Sequence, residues 1–516
     1  VAALLATNTR DEDDMPLSDV EVVKPGDERY TALTASFNGR WAGTPDYVLV
    51  PATADEAVDA VQHVIDNGDR FAIHSSGACY EDLLTNQEVR ALISTSQLRS
   101  VEFDPERSAF AVGPGISTVE LYTRLYEGWH VTVPAGAGPP VALAGQMTNA
   151  GYGPLSRQLG QLVDHLEAVE VVVVDGDGRA RKVVAGRNPD DENHDLWWAH
   201  TGGGGGTFGL VTKFWLRSPD AEGDDPAAQL PRAPRELIVS ETAWSWDAMT
   251  EKAFTRLLKN FSAWHEANSV PGSRAANLFG ALKPRHVSAG EFLMSTELDA
   301  ATSGAEELLD EFLAAVVEGT GLTYREERRT VDWLGHVTAW AGLGGDGWEG
   351  KGRFKAKSAY LRTAFPDEQL RAIYRHLTDP DFDNPATMVE IGGYGGAVNA
   401  IDASATAVGQ RDSVLRLLYL TMWADEADDA AHLAWLRRWY ADVHASTGGV
   451  PDRRGAGDGA ILNYIDADLL DETLNTSGVA WHELYFGSAY PRLQRIKSRW
   501  DPQDVFTHAL AVRRPD

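Results

Sequence analysis

Residues 74–82 read HSSGACYED, directly after the run RFAI. Four small residues in a row, Ser75, Ser76, Gly77 and Ala78, keep bulk away from this backbone, so something must lie close against it. Two more loops share the texture: PAGAGPPVALAGQMTNAGYGPLSRQLGQLVDHL at 134–166 and HTGGGGGTFGLVT at 200–212. Small, glycine-rich loops let backbone N–H groups approach and donate to a phosphate without side-chain clash. Three of them, each flanked by strand or helix signals, point to one shared phosphate-bearing ligand rather than to flexible turns. The dinucleotide fingerprint GxGxxG fits poorly, because GGGGGTFG runs into the strand-like LVTKFWL where a helix should open. The phosphate-loop ending GK[ST] is absent, so these loops belong to another cofactor fold.

Composition narrows the rest. The chain has 516 residues, room for about three compact units. Its 43% hydrophobic and 24% charged residues are ordinary for a globular protein. The net charge of −30 argues against nucleic acid or an anionic membrane as partner. Cys79 is the single cysteine, which excludes an intrachain disulfide and a cysteine-rich metal site. The 14 histidines are scattered, and no metal is expected. No apolar run reaches the ~18 residues of a membrane span. The start, VAALLATNTRDEDD, lacks the basic region of a signal peptide, and the compartment stays open.

The first 220 residues alternate short strands and helices. TADEAVDAVQHVIDNGD carries Thr53 as N-cap with Glu56 three residues on, and STVELYTRLYEGW follows a serine cap. YVLVPA, RFAIHS, AFAVGPG, HVTVPA and FGLVTKFWL read as strands, and HLEAVEVVVVDGDGRARKVV as a hairpin. The acid- and proline-rich RSPDAEGDDPAAQLPRAPRE marks a boundary. Beyond it, long strands such as FKAKSAYLRT and SVLRLLYLTMW alternate with long helices, which predicts an antiparallel sheet backed by helices. The expected fold class is α+β, with domains at 1–225, 226–455 and 456–516.

The loops carry a family resemblance. RFAIHSSGACYED resembles the pyrophosphate loop of the berberine-bridge-enzyme-like branch of the vanillyl-alcohol oxidase / p-cresol methylhydroxylase superfamily. PAGAGPPVALAG with AGYGPLSRQLG, and WWAHTGGGGGTFGLVT, are similar to its second and third flavin loops. FNGRWAGTPDYVLVPATADEAVDAV, FKAKSAY, NYIDADL and WDPQDVF match its remaining signatures, in order along the whole chain. The resemblance implies a two-part FAD-binding domain (1–225 and 456–516) and a substrate domain (226–455). It implies flavin contacts from His74, Ser75, Ser76, Gly77, Ala78, Cys79 and Tyr80, and from Gly138, Val141, Gly145, Thr148, Gly151, Tyr152 and Gly153. Gly206, Gly209, Val211, Asn463 and Tyr464 complete that set. In this family a histidine ending the first loop commonly bonds the flavin ring, and a cysteine in the second loop often does so too. Ala78 and Gly138 stand at those positions, and Cys79 lies one residue past the first. FAD is therefore expected without a covalent bond. A natural non-covalent member and a deliberate double substitution both account for this.

Alcohol oxidation by a flavin needs a base for the hydroxyl proton and a C–H facing the flavin. Tyr464 in NYIDADL is the first candidate base, because it matches a family tyrosine at the flavin edge. Ile461 stands where the family often has another tyrosine. Tyr419 in LRLLYLTMW, sharing a face with Thr421 and Trp423, and Tyr152 in AGYG are the other catalytic candidates. Glu390 is a weaker acid/base candidate, and YGGAVNAI at 394–401 could line the cavity. The resemblance implies an oxidase passing electrons to O2 and releasing H2O2. Its most specific likeness is to the hexose oxidases of glycopeptide-antibiotic pathways, which oxidise the C6 hydroxyl of a scaffold-bound sugar to the acid. An oxidative cyclase or dehydrogenase of another natural product, and a non-catalytic flavin-binding relic, are the alternatives.

Overall fold

Three sheets organise the chain. The computed structural model describes residues 19–136, 141–340 and 352–515. A four-stranded sheet runs in the order Glu21–Val23, Tyr47–Val50, Ala91–Ser94, Phe71–His74, with its last three strands parallel. The crossover helix Ala54–Asp66 begins where the sequence predicts: the Thr53 side chain accepts from Glu56 N–H at 3.2 Å. Its Ala57, Ala60, Val61 and Val64, all fully buried, form the apolar stripe that packs on this sheet. A five-stranded antiparallel sheet follows, in the order Val101–Asp104, Ala109–Val112, Leu210–Leu216, Leu166–Val174, Ala180–Gly186.

The largest sheet has seven antiparallel strands, all between residues 236 and 423. Their order is Arg325–Asp332, Glu236–Ser245, Glu291–Asp299, Leu278–Lys283, Thr387–Gly393, Leu415–Trp423, Arg353–Leu361. Helices Glu251–Ala267, Ala305–Val317, Asp367–Leu377 and Asp429–Val443 bring apolar faces to its core. The architecture is α+β, as expected. We propose the division at 225 and 455 because the seven-stranded sheet closes within those bounds. HVTVPA differs from its predicted strand: Val131 makes one isolated bridge, to Arg232, and the chain then turns into the second small-residue loop. REERRTVD was not predicted as a strand, yet it forms the sheet edge. Its charges are paired outward, as Arg328 with Glu306, Asp310 and Glu326, a pattern that discourages edge-to-edge pairing.

Buried charges join the halves. Lys355 Nζ, on the last strand of the large sheet, contacts Glu81 of the first loop and lies 2.7 Å from Asp466 of NYIDADL. Lys357, two residues on, lies 2.7 Å from Asp466 and 2.9 Å from Asp468. Arg437, from the helix behind the sheet, reaches Asp468 at 2.7 Å. Three carboxylates thus meet three cations, and all but Arg437 are buried. The cations hold the Asp468 carboxyl far below its ordinary range, while burial pushes Glu81 up. Elsewhere in the same seam, the fully buried Arg157 of the second loop donates to Leu278 O at 3.0 Å and Asn268 O at 2.8 Å.

Removing one partner of a buried ion cluster costs about 3–5 kcal/mol, because it strands the opposite charge. Lys355→Met should therefore lower the urea midpoint strongly, and adding Glu81→Gln should restore part of the loss. Additive losses in the double variant would contradict the coupling.

Candidate active site

The three small-residue loops and the last segment enclose a cavity of about 430 Å³, within the ~300–1,000 Å³ typical of small-molecule sites. Ser75, Ser76, Gly77, Ala78, Cys79 and Tyr80 line it from the first loop. Val141, Gly145, Thr148, Tyr152 and Gly153 line it from the second, and Gly206, Gly209 and Val211 from the third. Asn463 and Tyr464 close one side.

The loops are tied to one another. Ser76 Oγ accepts from Ala142 N–H at 3.0 Å, joining first to second. Asn149 Oδ1 accepts from Gly205 N–H at 3.2 Å, joining second to third. His508 donates Nε2–H to Gly205 O at 3.1 Å, joining third to C-terminal segment. Gly77 adopts φ +68°, and a Cβ there would lie 2.4 Å from Ala35 O, so only glycine fits that turn. At Gly145 a Cβ would meet nothing within 4 Å, which leaves the wall open to a ligand. The N–H groups of Ser76, Gly77 and Ala78 find no acceptor among the described residues. Unpaired donors over a small-residue wall fit the diphosphate of a dinucleotide, and the adjoining apolar and aromatic walls fit its ring.

On the sheet side the cavity holds a cation among phenols. Arg416 donates from Nη2 to Tyr464 Oη at 2.6 Å. Its guanidinium lies over the rings of Tyr152 and Tyr464, 4.8 and 5.0 Å from their centroids. Burial raises the Tyr464 phenol above its ordinary range, and the Arg416 charge acts against that rise. Tyr80 stacks on Tyr464 with centroids 5.4 Å apart. The Tyr152 hydroxyl donates to Gly393 O, so this phenol is committed to the backbone while its ring supports Arg416. Glu390 and Lys283 also line this side.

Several expectations need correction. Tyr419 is fully buried on the opposite face of its strand, packed edge-on against Trp439 and Tyr440 at 5.3 and 5.4 Å. Thr421 and Trp423 share its face, as alternation requires, but that face meets the helices: Thr421 bonds Thr387, and Trp423 stacks on His432. The residues that reach the cavity are Arg416 and Leu418. His74 turns under Gly77, its Nε2 donating to Ala35 O at 3.4 Å, and does not line the cavity. Gly151 stands off the wall, against Leu162. No residue of 394–401 lines it; Tyr394 instead stacks beneath Tyr152. Cys79 does line it, with burial pushing its thiol up to about 11. Gly138 lies outside the described residues. Arg416 escaped the sequence reading, although it is the lone cation in an otherwise apolar strand.

Comparison with known proteins agrees with this geometry. An FAD binding domain family matches residues 45–183, and a berberine and berberine-like family matches residues 460–513. The aclacinomycin-N/aclacinomycin-A oxidase of Streptomyces galilaeus is 47% identical over 95% of this chain and 89% of its own. A hexose oxidase of Chondrus crispus is 29% identical over 94% and 93% of the two chains. Among solved structures, a glycopeptide hexose oxidase complexed with teicoplanin superimposes with a TM-score of 0.91, at 42% identity over 96% of this chain and 99% of that one.

His200 lines the cavity, is buried, and donates Nδ1–H to Leu196 O at 2.8 Å. Burial pulls its imidazole down from 6.5 to about 4. The unfolded chain therefore takes up this proton first as pH falls, so the stability held above pH ~6.5 is lost progressively toward pH 4. His200→Gln should lose less thermal stability than the parent between those two pH values. Equal losses would contradict the assignment.

Proposed function

From the premise that the chain belongs to the berberine-bridge-enzyme-like family of FAD-linked oxidoreductases, we propose that it oxidises a sugar-borne hydroxyl of a glycosylated natural product. The bond from Arg416 to Tyr464 is the observation that carries this reading. A phenol reached by a buried guanidinium can hold negative charge, and so can take the substrate's hydroxyl proton. Tyr152 keeps the guanidinium in place through its ring, since its hydroxyl is already engaged. Tyr80, stacked on Tyr464, limits the phenol's movement.

FAD, when bound, supplies the acceptor for the hydride leaving the hydroxyl-bearing carbon, with O2 as final acceptor and H2O2 as product. The first loop would hold its diphosphate through the free N–H groups of Ser76, Gly77 and Ala78. Ala78 offers no side-chain nucleophile, and neither does Gly138, so retention rests on hydrogen bonds and packing. The substrate class draws on the aclacinomycin oxidase and glycopeptide hexose oxidase relatives. Within it, the C6 hydroxyl of a glycopeptide-bound sugar, carried to the acid, is the finer reading. Teicoplanin and an anthracycline glycoside are the probes that separate the two scaffolds.

Tyr464→Phe should slow anaerobic bleaching of the bound flavin by the preferred glycoside by about 10²–10⁴-fold. Bleaching at the parent rate would remove Tyr464 from the chemistry, and a parent that no alcohol bleaches would turn the reading to a non-catalytic flavin binder. Acid precipitation should leave the yellow in the supernatant. The combined A78H/G138C variant should carry it into the pellet and oxidise faster; yellow in the parent's pellet would contradict non-covalent binding.

A further inference from the structure

One carboxylate in the cavity has no task in the reaction above. Glu390 sits on strand Thr387–Gly393, lines the cavity, and keeps 24% of its side chain exposed there. Its oxygens accept no hydrogen bond among the described residues. The closest cation, Lys283 Nζ, stands 3.8 Å from Oε2, beyond hydrogen-bond reach. An ionised carboxylate has about four acceptor positions, and leaving them unfilled in a closed site is costly. A ligand rich in donors satisfies them.

The surroundings select which donors. Lys283 and Arg416 place two positive charges around one carboxylate, and Arg416 feels the Glu390 charge directly. Hydroxyls of a ligand can donate to the unfilled positions of Glu390, while the Arg416 side of the cavity presents donors to the ligand's own oxygens. The bordering Met388, Leu418 and Phe279 are apolar and suit the carbon face of a ring. The sheet also sets a spacing. Glu390 pairs with Leu418, and Gly392 with Arg416, so Glu390 and Arg416 stand two residues apart along the strands, roughly 7 Å. Arg416 marks the reacting end because it holds Tyr464. That separation is comparable to the width of one six-membered ring with its substituents.

We propose that Glu390 is the specificity-determining residue of this cavity, accepting hydrogen bonds from two neighbouring hydroxyls of a sugar ring, across that ring from the hydroxyl that Tyr464 deprotonates. The identity of the reacting end rests on the oxidase reading, but the recognition can be tested by binding alone.

The FAD-loaded full chain is titrated with methyl β-D-glucopyranoside and with its 2-deoxy analogue, following heat and the visible flavin band. The hydroxylated glycoside should bind about tenfold tighter than the deoxy one, which lacks one donor to Glu390. Glu390→Leu should raise the Kd of methyl β-D-glucopyranoside about tenfold or more, and the isosteric Glu390→Gln, which keeps one acceptor, by less. An unchanged Kd in Glu390→Leu, equal or tighter binding of the deoxy sugar, or no binding of either sugar to the parent would overturn the proposal. If the binding pattern holds but no glycoside bleaches the flavin, the oxidase reading fails and the recognition stands.

Discussion

The site depends on a buried balance of charge. Glu81, Asp466 and Asp468 have left water only because Lys355, Lys357 and Arg437 meet them. These six come from four places in the chain: the first loop, the end of the large sheet, the helix behind it, and the C-terminal segment. An isolated buried ion costs several kcal/mol, so no single one of these segments can settle without the others. Assembly of the cluster therefore fixes Tyr80, next to Glu81, and Tyr464, two residues before Asp466. The stacking of those two phenols at the cavity wall follows from this constraint.

Arg416 extends the same logic into the cavity. It is one residue from the apolar face that packs on the helices, and alternation alone turns it toward the ligand. There it bonds one phenol and rests on a second, whose own hydroxyl is tied to the backbone. The charge is thus held by aromatic surface, which strengthens its effect on Tyr464 compared with the same pair in water. Ala78 brings no nucleophilic side chain to this wall, and the loops around it are tied to one another through Ser76, Asn149 and His508.

Much of this was legible in the residues, for identifiable reasons. Thr53 and Ser117 announced their helices because a side-chain cap is a local interaction. The three loops were visible because close approach of a ligand excludes side chains, and that leaves runs of glycine and serine. The phase of LRLLYLTMW was not visible. Both faces of that strand are buried, one by helices and one at the cavity, so hydrophobicity does not say which way Tyr419 points. Arg416 was the one mark of the ligand side. His74 belonged to the right loop, but the turn at Gly77 folds its ring underneath. REERRTVD hid its strand because an edge strand carries charge where a central one carries valine.

The central claim is that Arg416 makes the Tyr464 phenol a working base. It is tested most directly by the pH profile of anaerobic flavin reduction in the parent and in Arg416→Met. Loss of the guanidinium should move the ionisation that controls reduction upward by more than one pH unit, with lower rates throughout the accessible range. Superimposable profiles would contradict the account, because the proton would then be leaving to a group that Arg416 does not touch.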